Sequence, residues 1–260
     1  MTLKEKIKKG PVYGITCYTG MASVVECIGN WGYDFVYLDL EHSTIDGLCN
    51  IERLILAAKH ANVSPIVRVS GVHDSEIRQV LEMGAEGVVV PHCKSRADVE
   101  KIIANAKFPP MGRRGGESNV RAAGFGVNGF SWSEYTKKSN EDTMIIPMDE
   151  DFEFTENIED ILSVEGIDAV NFGPVDYALS VGAEVGYKIT DERVDYGYKR
   201  LRQEAEKRGI AIMGPVVPSQ ESDLRAAIAR GTNMLILGND MYHLNQGLKS
   251  VIEEVKKVRN

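Results

Sequence analysis

The chain has 260 residues, 43% of them hydrophobic and 26% charged, ordinary proportions for a globular fold whose core needs no disulfide or zinc staple. Its net charge of −8, with no basic run beyond Lys4–Lys9, argues against nucleic acid as a partner. No apolar run is long enough to span a membrane, and the first ten residues read as a short charged helix rather than a signal peptide. Four scattered cysteines with no C-x-x-C pair read as reduced thiols of a cytoplasmic protein.

Short apolar runs alternate with helical patterns along the chain. Strands are expected over Val12–Cys17, Asp34–Leu38, Pro65–Val69, Glu86–Val90, Thr143–Met148, Asp168–Phe172, Ile210–Gly214 and Asn233–Leu237. Between them Leu48, Ile51, Leu54 and Ile55 share one helical face. Asp74 is placed as an N-cap, with Gly84 just past that helix. Ser95 and Asp98 have capping-box spacing. Ile158, Ile161 and Leu162 face inward ahead of Gly166. Thr190 and Gly209 bracket a long helix, Ser219 and Gly231 bracket another, and a last helix starts near Met241. This alternation predicts an α/β fold, a single (β/α)8 TIM barrel over residues 1–260. An open doubly wound sheet is the runner-up, weakened by the lack of G-x-G-x-x-G after the first strand. A Pro-, Gly- and Arg-rich loop at about 108–132 breaks the rhythm, and its arginines suit an anionic substrate or a subunit contact.

In a barrel the residues that follow each strand share one rim. That rim carries Asp39 and His42, Arg68 at the end of the third strand, Glu150 after the fifth and Asp176 after the sixth. Carboxylates with water suit Mg²⁺ or Mn²⁺. The turn from Gly173 through Pro174 and Val175 to Asp176 offers backbone N–H groups from all but the proline, suited to a substrate carboxylate. Arg68, in an apolar strand, must be paired; it is either a structural partner of the carboxylates or a stabiliser of a developing oxyanion. His42 near Asp39 has the spacing of an oriented general base. His92 lies on the rim without a defined partner, while His60, His73 and His243 sit near helix ends.

These residues resemble the HpcH/HpaI aldolases, metal-dependent class II pyruvate aldolases of the phosphoenolpyruvate/pyruvate barrel superfamily. The resemblance rests on Asp34-Phe35-Val36-Tyr37-Leu38-Asp39-Leu40-Glu41-His42 and Val67-Arg68-Val69. It continues through Gly84–Pro91, Phe108–Gly115, Val164–Asp168 and Gly173-Pro174-Val175-Asp176. It implies Glu150 and Asp176 as ligands of a divalent metal (Mg²⁺, Mn²⁺ or Co²⁺) and an acid/base pair of His42 with Asp39. It also implies Arg68 at the enolate oxygen and Gly173 to Asp176 around the pyruvate carboxylate, with Met148 and Arg114 as substrate contacts. The implied reaction is reversible cleavage of a 4-hydroxy-2-oxo acid to pyruvate and an aldehyde through a metal-stabilised enolate. The implied assembly is a homo-hexamer in which Glu82 enters a neighbour's site. The related alternatives are a citramalyl- or malyl-CoA lyase, an oxaloacetate decarboxylase, or a barrel that only binds a 2-oxo acid. Three positions depart from the commoner pattern: Met148 stands for Gln, Val175 for Ala and Glu82 for Asp, and the first two put the preferred substrate in question.

Overall fold

Eight strands pair in chain order, all parallel, and the last returns to the first to close a barrel. The computed structural model describes residues 1–43, 45, 47–127 and 129–259. The strands are β1 Val12–Cys17, β2 Phe35–Asp39, β3 Ser64–Arg68, β4 Gly87–Val90, β5 Met144–Asp149, β6 Ala169–Phe172, β7 Ala211–Pro215 and β8 Met234–Asn239. The helices are α1 Leu3–Ile7, α2 Ala22–Asn30, α3 Gly47–His60, α4 Asp74–Glu82, α5 Arg96–Ala106, α6 Trp132–Asp142, α7 Phe152–Glu156, α8 Ile158–Ile161, α9 Pro174–Ser180, α10 Glu192–Arg208, α11 Glu221–Ala229 and α12 Asp240–Arg259. The fold is therefore the (β/α)8 barrel expected from the alternation of patterns. No described helix is long and apolar enough to cross a membrane.

The strands read as nearly continuous apolar runs because both of their faces are buried. One set of side chains fills the barrel, among them Phe35, Ile66, Val89, Ile146, Met213 and Met234. The other set packs beneath the helices, where Ile51, Leu54 and Ile55 of α3 are buried as their spacing requires. Gly14 has no side chain for a spatial reason: a Cβ there would stand 2.4 Å from the Phe35 ring, which plugs the barrel. The Ser95–Asp98 capping box forms as expected, and Gly209 ends α10 with a left-handed φ of 66°. Helix α4 begins at Asp74 itself, with His73 in the N-cap position. The Asp74 side chain expected as a cap, and Asn128 in the 108–132 loop, lie outside the described residues.

Closure joins residues far apart in sequence. Val12 of β1 pairs with Met234 of β8. Just beyond, the Asp240 carboxylate accepts from the backbone N–H groups of Tyr18 (3.0 Å) and Thr19 (2.9 Å) and from the Thr19 hydroxyl (2.6 Å). Helix α12 that follows has no buried residue, and it leaves Leu244, Leu248, Val251 and Ile252 exposed.

The 108–132 loop runs across the end of the barrel where β5 begins. The Lys107 ammonium donates to the carbonyls of Asn140 and Thr143, the latter just ahead of β5. Arg114 N–H donates to the Lys107 carbonyl at 3.0 Å. The Arg114 guanidinium lies 4.7 Å over the Phe108 ring. A 3₁₀ segment, Arg121–Gly126, interrupts the loop.

Candidate active site

A cavity of about 260 Å³ opens at the carboxyl ends of the strands. Of the residues expected at the site, His42, Arg68, Met148, Gly173, Pro174, Val175 and Asp176 line it, joined by Tyr37 and Asn171. Glu150 and Asp39 stand behind this lining, 2% and 0% exposed.

The pairing register of β2 on β3 sets Asp39 beside Arg68. Arg68 Nε donates to Asp39 Oδ1 at 2.8 Å and Nη2 to Oδ2 at 2.5 Å. Its Nη1 lies 2.8 Å from Glu41 Oε2, an ion pair whose angle falls short of a hydrogen bond. A fork this well paired tolerates burial, and terminal N–H groups are left to meet an oxygen in the cavity. The expected Asp39–His42 pair is thereby corrected. Both Asp39 oxygens are held by Arg68, with Oδ1 also accepting from the Glu41 N–H. The His42 ring is 58% exposed, and its nearest recorded carboxylate is Glu41, at 3.9 Å.

Glu150 stands at the centre of the acidic groups. Its Oε1 accepts from the His92 backbone N–H at 2.7 Å. Its Oε2 faces Gly173, where a Cβ would lie 3.1 Å from it and 2.9 Å from Glu150 Cβ. Burial, then the charges of Glu41 and Asp176, push the Glu150 carboxyl above the ordinary carboxylate range, against the pull of the His92 N–H and ring. His92, in a left-handed conformation with φ 54°, reaches three carboxylates. Its Nε2 lies 3.3 Å from Glu41 Oε1, and its Nδ1 lies 3.5 Å from Glu150 Oε1 and 3.2 Å from Asp151 Oδ2. Burial works against its protonated ring, but the Asp151 hydrogen bond and the Glu150 and Glu41 charges outweigh it and raise its pKa.

Buried carboxylates that repel one another are relieved by a cation, so the residues present fit a divalent metal. Asp176 carries hard oxygens in the cavity lining, and Glu150 carries them behind it, with Oε2 facing Gly173. On the other side His92, Glu150 and Asp151 bring one ligand atom each within 4.8 Å of one another.

Two further expectations change. The Gly173 N–H is donated to the Asp149 carbonyl at 3.0 Å. Since Pro174 has none, only Val175 and Asp176, in the first turn of α9, retain N–H groups for a carboxylate. Arg114, expected as a substrate contact, does not line the cavity. It lies with Phe108 and Ser139 at the opposite end of the barrel, because the loop that carries it leaves α5 where that helix returns to the strand starts. Glu82, at the end of α4, is 3.9 Å from Arg78 and is part of the charge environment of Arg114. The sequence assigns no role to Glu41, Asp151, Tyr37 or Asn171, and no partner to His92.

A family description, HpcH/HpaI aldolase/citrate lyase, matches residues 19–246. The chain is 27% identical to 2-keto-3-deoxy-L-rhamnonate aldolase of Escherichia coli (strain K12) over 99% of its length and 94% of that protein's. It is 27% identical to the HpcH/HpaI aldolase structure from Desulfitobacterium hafniense DCB-2, with a TM-score of 0.89 over 98% and 97% of the two chains. It is 31% identical to the structure of citrate synthase SbnG, with a TM-score of 0.86 over 98% of each.

Proposed function

Since this chain belongs to the HpcH/HpaI aldolase/citrate lyase family and is a carbon–carbon lyase, we propose that it cleaves a 4-hydroxy-2-oxo acid reversibly to pyruvate and an aldehyde. The observation that carries this reading is the Arg68 fork, anchored by Asp39 and Glu41 and lining a cavity beside the Glu150 and Asp176 carboxylates.

Class II aldolases of this family use a divalent metal. Glu150 and Asp176 would hold a cation such as Mg²⁺, Mn²⁺ or Co²⁺, which would supply Lewis acidity to the 2-oxo acid. Val175 and Asp176 donate their N–H groups to the carboxylate. His42 takes the proton of the C4 hydroxyl as the C3–C4 bond breaks and the aldehyde leaves. The electron pair of that bond moves into the C2–C3 bond, and negative charge builds on the C2 oxygen, where the Arg68 terminal N–H groups meet it. Reprotonation at C3 completes pyruvate. His92 holds Glu150 in place through its N–H. Met148 and Val175 shape the wall beside the substrate.

The same residues would serve a homo-oligomer, for which a hexamer is the arrangement we favour. The exposed apolar side chains of α12 and the apolar groove lined by Ile15, Val24, Cys27, Ile28 and Trp31 support association. Glu82 and Arg114, remote from their own chain's cavity, would then serve a neighbour's.

A second reading, citrate formation by addition of the methyl carbon of acetyl-CoA to the keto carbon of oxaloacetate with hydrolysis of the thioester to release CoA, is favoured by the 31% identity to citrate synthase SbnG. One set of assays separates the two. Pyruvate with a panel of aldehydes, and oxaloacetate with acetyl-CoA, are each tested with Mg²⁺, Mn²⁺ or Co²⁺ and after chelation. We expect aldol product that disappears on chelation and in Glu150→Ala and Asp176→Ala. Full turnover in excess chelator, or a borohydride-trapped lysine adduct, overturns the metal-assisted reading. Citrate without aldol product replaces it by the second.

A further inference from the structure

The floor of the cavity holds a polar pair that the proposed cleavage leaves unused. Tyr37 on β2 and Asn171 on β6 are 3% and 4% exposed, and both line the cavity. Tyr37 packs in an apolar cluster inside the barrel with Met148 and Ile236. Asn171 Nδ2 lies 3.4 Å from the Tyr37 hydroxyl oxygen, while Asn171 Oδ1 is buried without a hydrogen-bond partner. Turning the amide over exchanges its two ends and still leaves one of them unpaired. A leucine would fill the same volume without that cost. The unpaired atom is therefore one that a group bound in the cavity can satisfy.

The pattern of donors and acceptors says which ligand. Asn171 Oδ1 needs a donor. The Tyr37 oxygen accepts from the amide and keeps its O–H to donate. Burial pushes the Tyr37 hydroxyl above its ordinary pKa, so it stays a phenol at neutral pH. One donor beside one acceptor matches a hydroxyl group, which accepts one hydrogen bond and gives one. A carboxylate only accepts, and would set its lone pairs against Oδ1. An alkyl group satisfies neither. The floor also adjoins the reacting centre, since the Arg68 guanidinium carbon lies 5.6 Å from the centroid of the Tyr37 ring.

We propose that Tyr37 and Asn171 read a hydroxyl group of the substrate, so that this enzyme prefers a hydroxylated reaction partner over its deoxy analogue. This rests on the aldolase reading for the identity of the partners. The hydroxyl belongs either to the half that becomes the enolate or to the aldehyde half, and the chemistry of recognition is the same.

The test compares pyruvate with hydroxypyruvate, and propanal with glycolaldehyde, in wild type, Asn171→Leu and Tyr37→Phe. We expect wild type to favour one hydroxylated partner at least tenfold in kcat/KM, chiefly through KM, and each variant to lower that ratio at least tenfold. A preference for hydroxypyruvate assigns the hydroxyl to the enolate half, and one for glycolaldehyde to the other half. Calorimetric binding of pyruvate and hydroxypyruvate to the Mn²⁺-loaded protein gives a readout independent of turnover. A binding preference lost in Asn171→Leu, in an enzyme that turns over no aldehyde, keeps the floor and discards the aldolase. Turnover without hydroxyl preference, or a preference that survives both variants, overturns the floor. Thermal melting identifies a merely structural role. We expect Asn171→Leu to melt no lower than wild type, and a clear drop together with an unchanged substrate ratio refutes the proposal.

Discussion

Asp39→Asn is the substitution that separates two accounts of the rim. Asp39 is fully buried and grips Arg68 through two bonds of 2.8 and 2.5 Å. Asparagine keeps the shape but removes the charge, and it sets an amide N–H against an Arg68 N–H. Breaking a buried ion pair by removing one partner costs about 3–5 kcal/mol. Here Asn retains one acceptor and Glu41 remains 2.8 Å from Nη1, so a loss nearer 2–3 kcal/mol is expected. The same change frees the fork to rotate away from the cavity. Losing one well-aimed oxyanion donor costs roughly 100-fold in kcat, about 2.7 kcal/mol. The assays are urea unfolding and a pH–rate profile of aldol cleavage. If Asp39 serves Arg68, turnover falls by about that factor while the limbs of the profile keep their midpoints. If a limb of the profile moves while the plateau is retained, Asp39 serves an acid/base group and the reasoning is wrong.

Arg68→Lys should fall in turnover about as far, with Mn²⁺ affinity preserved in a calorimetric titration, because a point charge cannot present the fork; turnover equal to wild type would mark Arg68 as structural. Gly173→Ala should lose most activity and metal affinity while circular dichroism stays native, since its Cβ would stand 2.9 Å from Glu150 Cβ; unchanged metal binding would show that Glu150 has room to shift. Lys107 lies at the opposite end of the barrel, and burial lowers its pKa to about 8. Between that value and the 10.5 of the unfolded chain the folded protein binds fewer protons, so stability rises with pH, by at most about 3 kcal/mol for these 2.5 units. Wild type should therefore gain on Lys107→Met from pH 8 to 10.5 in urea unfolding, and a flat difference would mean that Lys107 titrates normally. Leu244→Lys combined with Leu248→Lys should reduce the solution mass measured by light scattering, and a mass equal to wild type would remove α12 from any assembly contact.

The barrel was legible because all eight strands bury both faces and so appear as short apolar runs punctuated by caps and glycines. Their ends were harder to read. Asp39, Asp149 and Asn239 look like loop residues, yet each is the last residue of its strand. Placement on one rim was legible for residues at strand ends, as with Arg68, Glu150 and Asp176. It was misread where register decides. Asp39 and His42 are close in sequence, but the β2–β3 register gives Asp39 to Arg68. Glu41 passed as a flanking residue because its partners, Arg68 and His92, come from two other strand ends. Asn171 was hidden inside the run Ala169–Phe172, where one polar residue in a strand was the available signal. Arg114 drew notice for its charge, but which end of the barrel a loop covers follows from the helix that feeds it.

The ring closes only when β8 reaches β1, and that orders events during synthesis. Val12 meets Met234 across 222 residues, and the Asp240 clasp on Tyr18 and Thr19 spans a similar distance. At about 5–20 residues per second, the ribosome takes roughly 10–45 s to deliver the last strand after the first has emerged. Throughout that interval β1 is an unpaired sheet edge next to an uncapped apolar interior, the kind of surface that recruits chaperones or other nascent chains. His42, Arg68, Glu150 and Asp176 have all been synthesised by then, yet the cavity lacks the wall that Ile236, Gly238, Asn239 and Tyr242 complete. Substitutions in β8 or at Asp240 should thus register first as reduced yield of soluble enzyme, and only secondarily as altered turnover in the molecules that close.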